Sequence, residues 1–339
     1  GVSRNVYSRF DVERQGAILN NSRSMVQTRL GGLVLGNPSL ATGTASIILN
    51  EVNSNDPSQL RGYMEVAGDR AQVVVANPAG ITCNGCGFIN ANRATLTTGT
   101  PIVNAGRLEA YVVRRGVISL EGEGLDTSNS NFTDVIARAV QVNADILANE
   151  LRITTGANQV NAAHDSVTSV TGTGASPTFS LDVSELGGMY AGKIRLLGTE
   201  VGIGVRNAGV LGATAGEIQI TAAGRLENIG QISAGTTIQI ETSDSVRNSG
   251  EIVADMAVQA SVTETFDNTG GLIDAGNVDI TTDFFINSGK SRIYDDSITI
   301  FAHSLENGED GGEAAVVAAR HPLKLGVQAL NHRHGALLY

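Results

Sequence analysis

Apolar positions in this chain come in short strand-like pieces rather than in helical stripes. Ala45-Ser46-Ile47-Ile48-Leu49 alternates small or polar with large apolar residues, and Val73-Val74-Val75-Ala76 is an unbroken run of the kind a buried strand carries. Similar pieces recur at residues 94–96, 108–113, 117–120, 135–142 and 151–153. Residues 1–36 predict short strands with corners at Gly16, Gly31 and Gly32, and with Val6, Phe10, Val12, Ile18 and Leu19 facing the core. The polar run Asn53-Ser54-Asn55-Asp56-Pro57-Ser58 predicts a loop. Residues 158–180, rich in Thr, Ser, Gly and Ala, predict a longer loop or an excursion from the main body.

From Asn207 onward the pattern becomes a repeat. The steps between Asn207, Asn228, Asn248, Asn268, Asn287 and Asn307 are 21, 20, 20, 19 and 20, and all but the last stand two residues before a glycine. Two residues before each lies an apolar side chain: Val205, Leu226, Val246, Phe266, Phe285 and Leu305. Ile232, Ile252 and Leu272 fall four residues after an asparagine, and Asn331 is expected to open a further unit after an insertion near residues 308–312. Self-similarity at a period of about 20 residues marks a solenoid. The dense leucine pattern of leucine-rich repeats is absent, and short Ile/Val pieces between Gly and Asn fit a parallel β-helix. Each coil would hold about three short strands and rise roughly 4.8 Å. Equivalent asparagines would stack into an amide ladder along the axis. One coil buries about five apolar side chains at ~1.5–3 kcal/mol each, against at least ~20 kcal/mol to order its backbone. A coil therefore folds only on a neighbour.

The most tightly specified corner is Asn77-Pro78-Ala79-Gly80-Ile81-Thr82-Cys83-Asn84-Gly85-Cys86. Proline stops the strand before it, because it lacks an N–H and pushes its predecessor out of the α region. Asn84-Gly85 favours a tight turn between the cysteines, which predicts strand, corner, tied turn, strand. A turn brings residues three apart within ~7 Å, inside disulfide range. A redox pair would sit at a helix N-terminus, and zinc would need about four ligands. A local Cys83–Cys86 bridge is the reading that fits best.

Composition narrows the class. The chain of 339 residues carries a formal charge of −11, which argues against a nucleic-acid footprint. Residues 206–310 hold sixteen acids and five bases, so the rest of the chain is neutral. The first thirty residues lean positive, with Arg4, Arg9, Arg14, Arg23 and Arg29 against Asp11 and Glu13. No apolar run is long enough for a transmembrane segment. Two cysteines make no disulfide framework. The opening Gly1-Val2-Ser3-Arg4 shows no export signal, so a processed or trimmed end is expected.

Asn77-Pro78-Ala79-Gly80-Ile81 resembles the Asn-Pro-x-Gly-Ile motif of the two-partner secretion domain found in filamentous haemagglutinins, haemolysins and contact-dependent growth-inhibition proteins. Asn37-Pro38-Ser39-Leu40 is similar to the family's Asn-Pro-Asn-Leu motif, with Ser39 in place of the second asparagine. Gly31-Gly32-Leu33, the stretches at 48–52 and 62–68, and Ala94-Thr95-Leu96-Thr97-Thr98-Gly99 also look familial. The resemblance divides the chain into a targeting domain, residues 1–205, whose first rungs are expected to be truncated, and haemagglutinin-type repeats, 206–339, that continue past its end. It implies an all-β, right-handed parallel β-helix with short antiparallel extra-helical elements. It implies recognition by an outer-membrane β-barrel transporter of the Omp85 superfamily through periplasmic POTRA domains. It also implies export to the cell surface or beyond, and a target-cell receptor bound by parts outside this chain. The paired cysteines beside the second motif look most like a growth-inhibition exoprotein carrying a distant toxin; a haemolysin or adhesin is the alternative.

Bland readings stand beside these. The Asn-Pro motifs could act only as β-helix corners that fix the fold. His332 and His334 are expected in a solvated turn rather than on a metal. Asp295 and Asp296 are expected to be solvated surface. A β-helix carbohydrate-active enzyme would instead gather such acids in an exposed groove. No catalytic residue, cofactor or metal site is expected, and the calcium-binding nonapeptide is absent.

Overall fold

A computed structural model of the chain describes residues 1–310, 313–333 and 335–339. His334, and Gly311 and Gly312 of the expected insertion, lie outside the described residues. The chain divides into two units, Gly1–Ser180 and Leu181–Tyr339. Each is a right-handed parallel β-helix. Among the described residues there is no α-helix, and the one helical element is the 3-10 turn Pro38–Leu40.

In the first unit, one sheet face is a parallel ladder. Val2–Tyr7 pairs with Ile47–Val52, then Ala71–Ala76, Ala91–Thr97, Phe132–Ala137 and Glu150–Thr155 follow in order. A second ladder runs Ala17–Asn21, Tyr63–Gly68 and the end of Ile81–Ile89. Parallel strands need a crossover between them, and here the crossover is the remainder of each coil. Ala71–Ala76 is buried along its whole length, as its apolar run predicts.

Antiparallel pairing in this unit occurs outside the helix. Val26–Thr28 and Gly32–Val34 form a hairpin. Thr100–Asn104, Arg107–Val113, Asn158–Asn161 and Val167–Ser169 form a four-stranded sheet. That sheet lies over the first ladder, where Leu108, Tyr111, Val113 and Val160 pack with Leu49, Val74, Ala76 and Ile136. Part of the predicted 158–180 loop is therefore paired strand. Charged side chains meet within the same layer. His164 Nδ1 lies 2.8 Å from Asp134 Oδ1, and Arg93 Nε is 3.4 Å from Oδ2, with Asp134 and His164 both buried. The first 36 residues depart from expectation in part. Phe10 and Val12 are buried, Ile18 and Leu19 are half-buried, and Val6 is 52% exposed because the outer face of the first ladder begins uncovered at its strand.

In the second unit the repeat is a register. Val205, Leu226, Val246, Phe266, Phe285 and Leu305 stack in line, all buried. Ile218, Ile238, Val258, Val278 and Ile298 form another column. Two details differ from the sequence pattern. Gly270, at φ +76°, and Gly271 lengthen one corner, so Ile273 rather than Leu272 pairs with Ile252 in the core. In the last coil His332, not Asn331, pairs with Asn307.

Candidate functional site: two asparagine-proline corners, a tied bulge and a buried amide ladder

The two Asn-Pro motifs fold into the same local structure by the same chemistry. Asn37 Oδ1 accepts the Ser39 amide at 3.0 Å, and the Leu40 amide donates to the Asn37 carbonyl at 3.1 Å. Asn77 Oδ1 accepts the Ala79 amide at 2.9 Å, and the Gly80 amide donates to the Asn77 carbonyl at 3.0 Å. Each is an Asx turn with proline presetting φ at its second position. Gly80 completes the second corner at φ +124°, where a side chain would be strained.

Their settings differ. Asn77 is fully buried, and its Nδ2 donates to the Asp56 carbonyl at 2.9 Å and to Ser58 Oγ at 3.0 Å, tying successive coils together. Ile81 is buried behind it, and Pro78 and Ala79 are half-buried. Asn37 is half-buried, with Nδ2 on the Asn20 carbonyl at 3.1 Å, while Pro38 and Ser39 are exposed and Leu40 is half-buried. Beside this first corner the 26–34 hairpin and the residues flanking it present Met25, Leu33 and Leu35, which are 57%, 64% and 74% exposed. An exposed apolar cluster is the unusual observation. The sequence reading missed it because Leu33 and Leu35 look like ordinary strand residues.

Cys83 and Cys86 form a disulfide with Cα atoms 5.4 Å apart, both side chains buried. It ties a bulge inside one strand, Ile81–Ile89, rather than a turn between two strands. Gly85 at φ +79° makes the bulge, and the neighbouring strand bulges with it. Its register against Ile81–Ile89 shifts between Glu121 and Leu125, with Gly122 and Gly124 at φ +57° and +71°. A Cβ at Gly124 would stand 2.0 Å from the Asp145 carbonyl oxygen. Nearby, Tyr63 lies over Gly87 and donates to Asp126 Oδ2 at 2.8 Å. Burial, helped by Asp126, pushes the Tyr63 hydroxyl up to about 12.

In the second unit the repeat asparagines are buried and linked. Each Nδ2 donates to the next Oδ1: Asn207 to Asn228 at 2.8 Å, Asn228 to Asn248 at 2.7 Å, Asn248 to Asn268 at 2.8 Å, Asn268 to Asn287 at 2.9 Å, and Asn287 to Asn307 at 2.8 Å. Asn307 Nδ2 then meets His332 Nδ1 at 3.3 Å and donates to the Leu337 carbonyl at 3.0 Å. A buried amide left unpaired costs about 1–3 kcal/mol, so the ladder is stable only as a continuous column.

Asp296 is exposed as expected, but Asp295 is not: its side chain turns inward and is only 5% exposed. Among the described residues no three His, Cys, Asp or Glu side chains gather to hold a metal ion, and no helix is long and apolar enough to cross a membrane.

Parallel β-helical coils, with Asn-Pro corners in the first unit and stacked asparagine repeats in the second, define a β-solenoid protein. The family model described as "TPS secretion domain" matches residues 1–228, and the chain belongs to that family. It is 63% identical over 235 residues to a protein named "Toxin CdiA" from Yersinia pestis, covering 69% of this chain and 7% of that protein. It is 48% identical over 236 residues to the "tRNA nuclease CdiA-2" of Burkholderia pseudomallei, covering 69% of this chain and 8% of that one. The crystal structure of the filamentous hemagglutinin secretion domain superposes with a TM-score of 0.64 at 29% identity, covering 83% of this chain and 87% of that one. The chain spans less than a tenth of the length of those two relatives. The chain is thus a TPS secretion domain, similar to the corresponding part of CdiA proteins and to that of filamentous hemagglutinin, a class secreted to the cell surface or the extracellular space. What matches is a secretion domain, not an enzyme domain.

Proposed function

We propose that this chain is the targeting end of a contact-dependent growth-inhibition exoprotein. In this reading residues 1–205 present the export signature and residues 206–339 begin the β-helical repeat. POTRA domains of an Omp85-superfamily transporter bind the targeting part in the periplasm. The chain itself performs no catalysis, and the toxin and the segment that meets a target-cell receptor lie in other parts of the full protein.

The observation that carries the recognition half is the exposed apolar hairpin at Met25, Leu33 and Leu35 beside the exposed Pro38-Ser39 corner. A mixed apolar and polar surface of this kind is what a transient partner buries. The buried Asn77 corner has no such surface, so its need in export is assigned to the fold. Asn37 sits between the two roles.

The test is export of this chain, with an export signal restored, from cells with and without the partner transporter. Export is expected to require the transporter. Leu33→Ser with Leu35→Ser should fold normally, by circular dichroism, yet export poorly. Asn77→Ala should lose thermal stability first, because it unpairs the Asp56 and Ser58 contacts. Export that is indifferent to the transporter would sink the targeting reading. Normal export of the Leu33/Leu35 variant would move the contact surface elsewhere.

A further inference from the structure

The columns that build the second unit do not tell one coil from the next. The amide of any ladder asparagine from Asn207 to Asn307 could donate to that of any other. Ile218, Ile238, Val258, Val278 and Ile298 are likewise interchangeable as packing surfaces. On the outer face Gln219, Gln239 and Gln259 form a second amide row, with Nε2 to Oε1 distances of 3.0 and 3.5 Å. A chain so self-similar can stack a coil on the wrong neighbour and loop out the one between, because each of these columns closes again. Loop closure opposes this only weakly, since its cost grows slowly with length.

One outer column differs. Between the buried apolar residue and the ladder position of successive coils stand Asp182, Arg206, Glu227, Arg247 and Asp267, all at least partly exposed. The sign of charge alternates at every step. Arg206 reaches Asp182 Oδ1 with Nε at 2.7 Å and Oδ2 with Nη2 at 2.9 Å. Arg206 is in register with Glu227, Glu227 with Arg247, and Arg247 with Asp267. The Asp182 carboxylate on one side, with Glu227 on the other, holds the Arg206 guanidinium above its ordinary value. Skipping one coil inverts these contacts. Arg206 would then face Arg247, Glu227 would face Asp267, and Asp182 would face Glu227. Further along, Ile286 stands between Asp267 and Glu306 in register, so a skip there would set Asp267 against Glu306.

Opposite charges on directly facing strand residues stabilise a sheet, and like charges there destabilise it. Each exposed pair contributes little by itself. Register, however, is a difference between two arrangements, and here attraction in one becomes repulsion in the other at coil after coil. We propose that the alternating column of Asp182, Arg206, Glu227, Arg247 and Asp267 is the register key of this unit. It admits the stacking of consecutive coils and rejects the stacking of coils one apart, a choice that the asparagine, glutamine and isoleucine columns leave open. The inference is independent of the secretion reading, and its test involves no export.

The experiment reads register directly. Gln219→Cys with Gln239→Cys places two thiols in consecutive coils, about 4.8 Å apart. Gln219→Cys with Gln259→Cys places them two coils apart, at roughly 10 Å, beyond the ~7 Å reach of a disulfide. The second pair therefore closes only in a chain that has skipped the coil between. Each 339-residue chain is unfolded in urea and refolded in a glutathione buffer at low salt, and the cross-link is identified by peptide mass spectrometry. With the natural column the first pair should close and the second should stay open. Arg206→Gln, Glu227→Gln and Arg247→Gln together should raise closure of the second pair roughly tenfold. Reversing the column with Asp182→Lys, Arg206→Glu, Glu227→Lys, Arg247→Glu and Asp267→Lys keeps the alternation with every sign exchanged. It should return the second pair to the level of the natural column, which no loss of an individual contact would do. Salt at about 1 M shortens the Debye length to about 3 Å, less than the rise of one coil. It should raise skipped closure with the natural column and leave the neutral column unchanged, and this arm stays open if a substituted column folds poorly. Skipped closure equally low with natural and neutral columns, equally high with neutral and reversed columns, or indifferent to salt with the natural column would overturn the proposal.

Discussion

At the scale of single residues, burial decides what a polar group does more than its identity. Asn77 and Asn37 make the same turn, but one anchors the core and the other sits half-buried beside an exposed corner. Asp295 and Asp296 are adjacent, yet one is inside and one outside. The inward one has a consequence for stability. Burial pushes the Asp295 carboxyl up to about 8, and Asp274 and Asp296 add to this while the Ala275 amide pulls the other way. An unfolded aspartate titrates near ~3.9. Between these values the folded state keeps a proton that the unfolded state has lost. The stabilisation is therefore complete below about pH 4 and is lost as pH rises through about 8. Asp295→Asn should remove that slope, so the variant gains on the parent with rising pH and is the more stable of the two above pH 8. Urea midpoints of both proteins from pH 5 to 9 check this. A constant difference across that range would mean that Asp295 is not held protonated.

At the scale of elements, the parts legible in the sequence are those where one column of like residues repeats. The asparagine ladder and the apolar column from Val205 to Leu305 follow directly from the near-constant step of the repeat. The four-stranded outer sheet was not legible. Asn158–Asn161 and Val167–Ser169 are short and polar, and what docks them is the distant pair Asp134 and His164 with Val160. No local pattern announces a contact between residues thirty positions apart. The inward place of Asp295 could have been found by aligning the coils, since it stands one full coil after the buried Ala275. At the bulge, the spacing of Cys83 and Cys86 made a bridge legible but not the matching bulge in the next coil, which depends on Gly122 and Gly124. The bridge closes a loop of four residues, which constrains the unfolded chain by only about 2 kcal/mol. Reduction should accordingly lower the denaturation midpoint modestly and leave the β-sheet spectrum intact. Loss of that spectrum on adding reductant would show that the bridge determines the fold of Ile81–Ile89 rather than trimming its stability.

At the scale of the whole molecule, each unit is a stack in which a coil gains its stability from its neighbours. In such a stack coils can add one at a time to a template already formed. The same logic makes the second unit divisible by whole coils and by nothing smaller. Removing residues 229–248 joins Asn228 to Ser249 and leaves every column in register: Asn228 takes the place of Asn248 under Asn268, and Leu226 that of Val246 under Phe266. Removing only residues 239–248 takes away half a coil. It cuts through the strand Thr237–Thr242, takes from the strand Ala257–Val262 most of its partner in the preceding coil, and breaks the ladder at Asn248. The full-coil deletion should therefore keep the parallel β-sheet circular dichroism of the parent and unfold with comparable cooperativity, at a somewhat lower midpoint because one interface is lost. The half-coil deletion should lose cooperative unfolding in this unit altogether, since its buried amides and Ile columns have nothing opposite them. If both deletions are equally tolerated, the columns are not what holds the stack, and if both are equally destructive, the unit folds as one body rather than coil by coil.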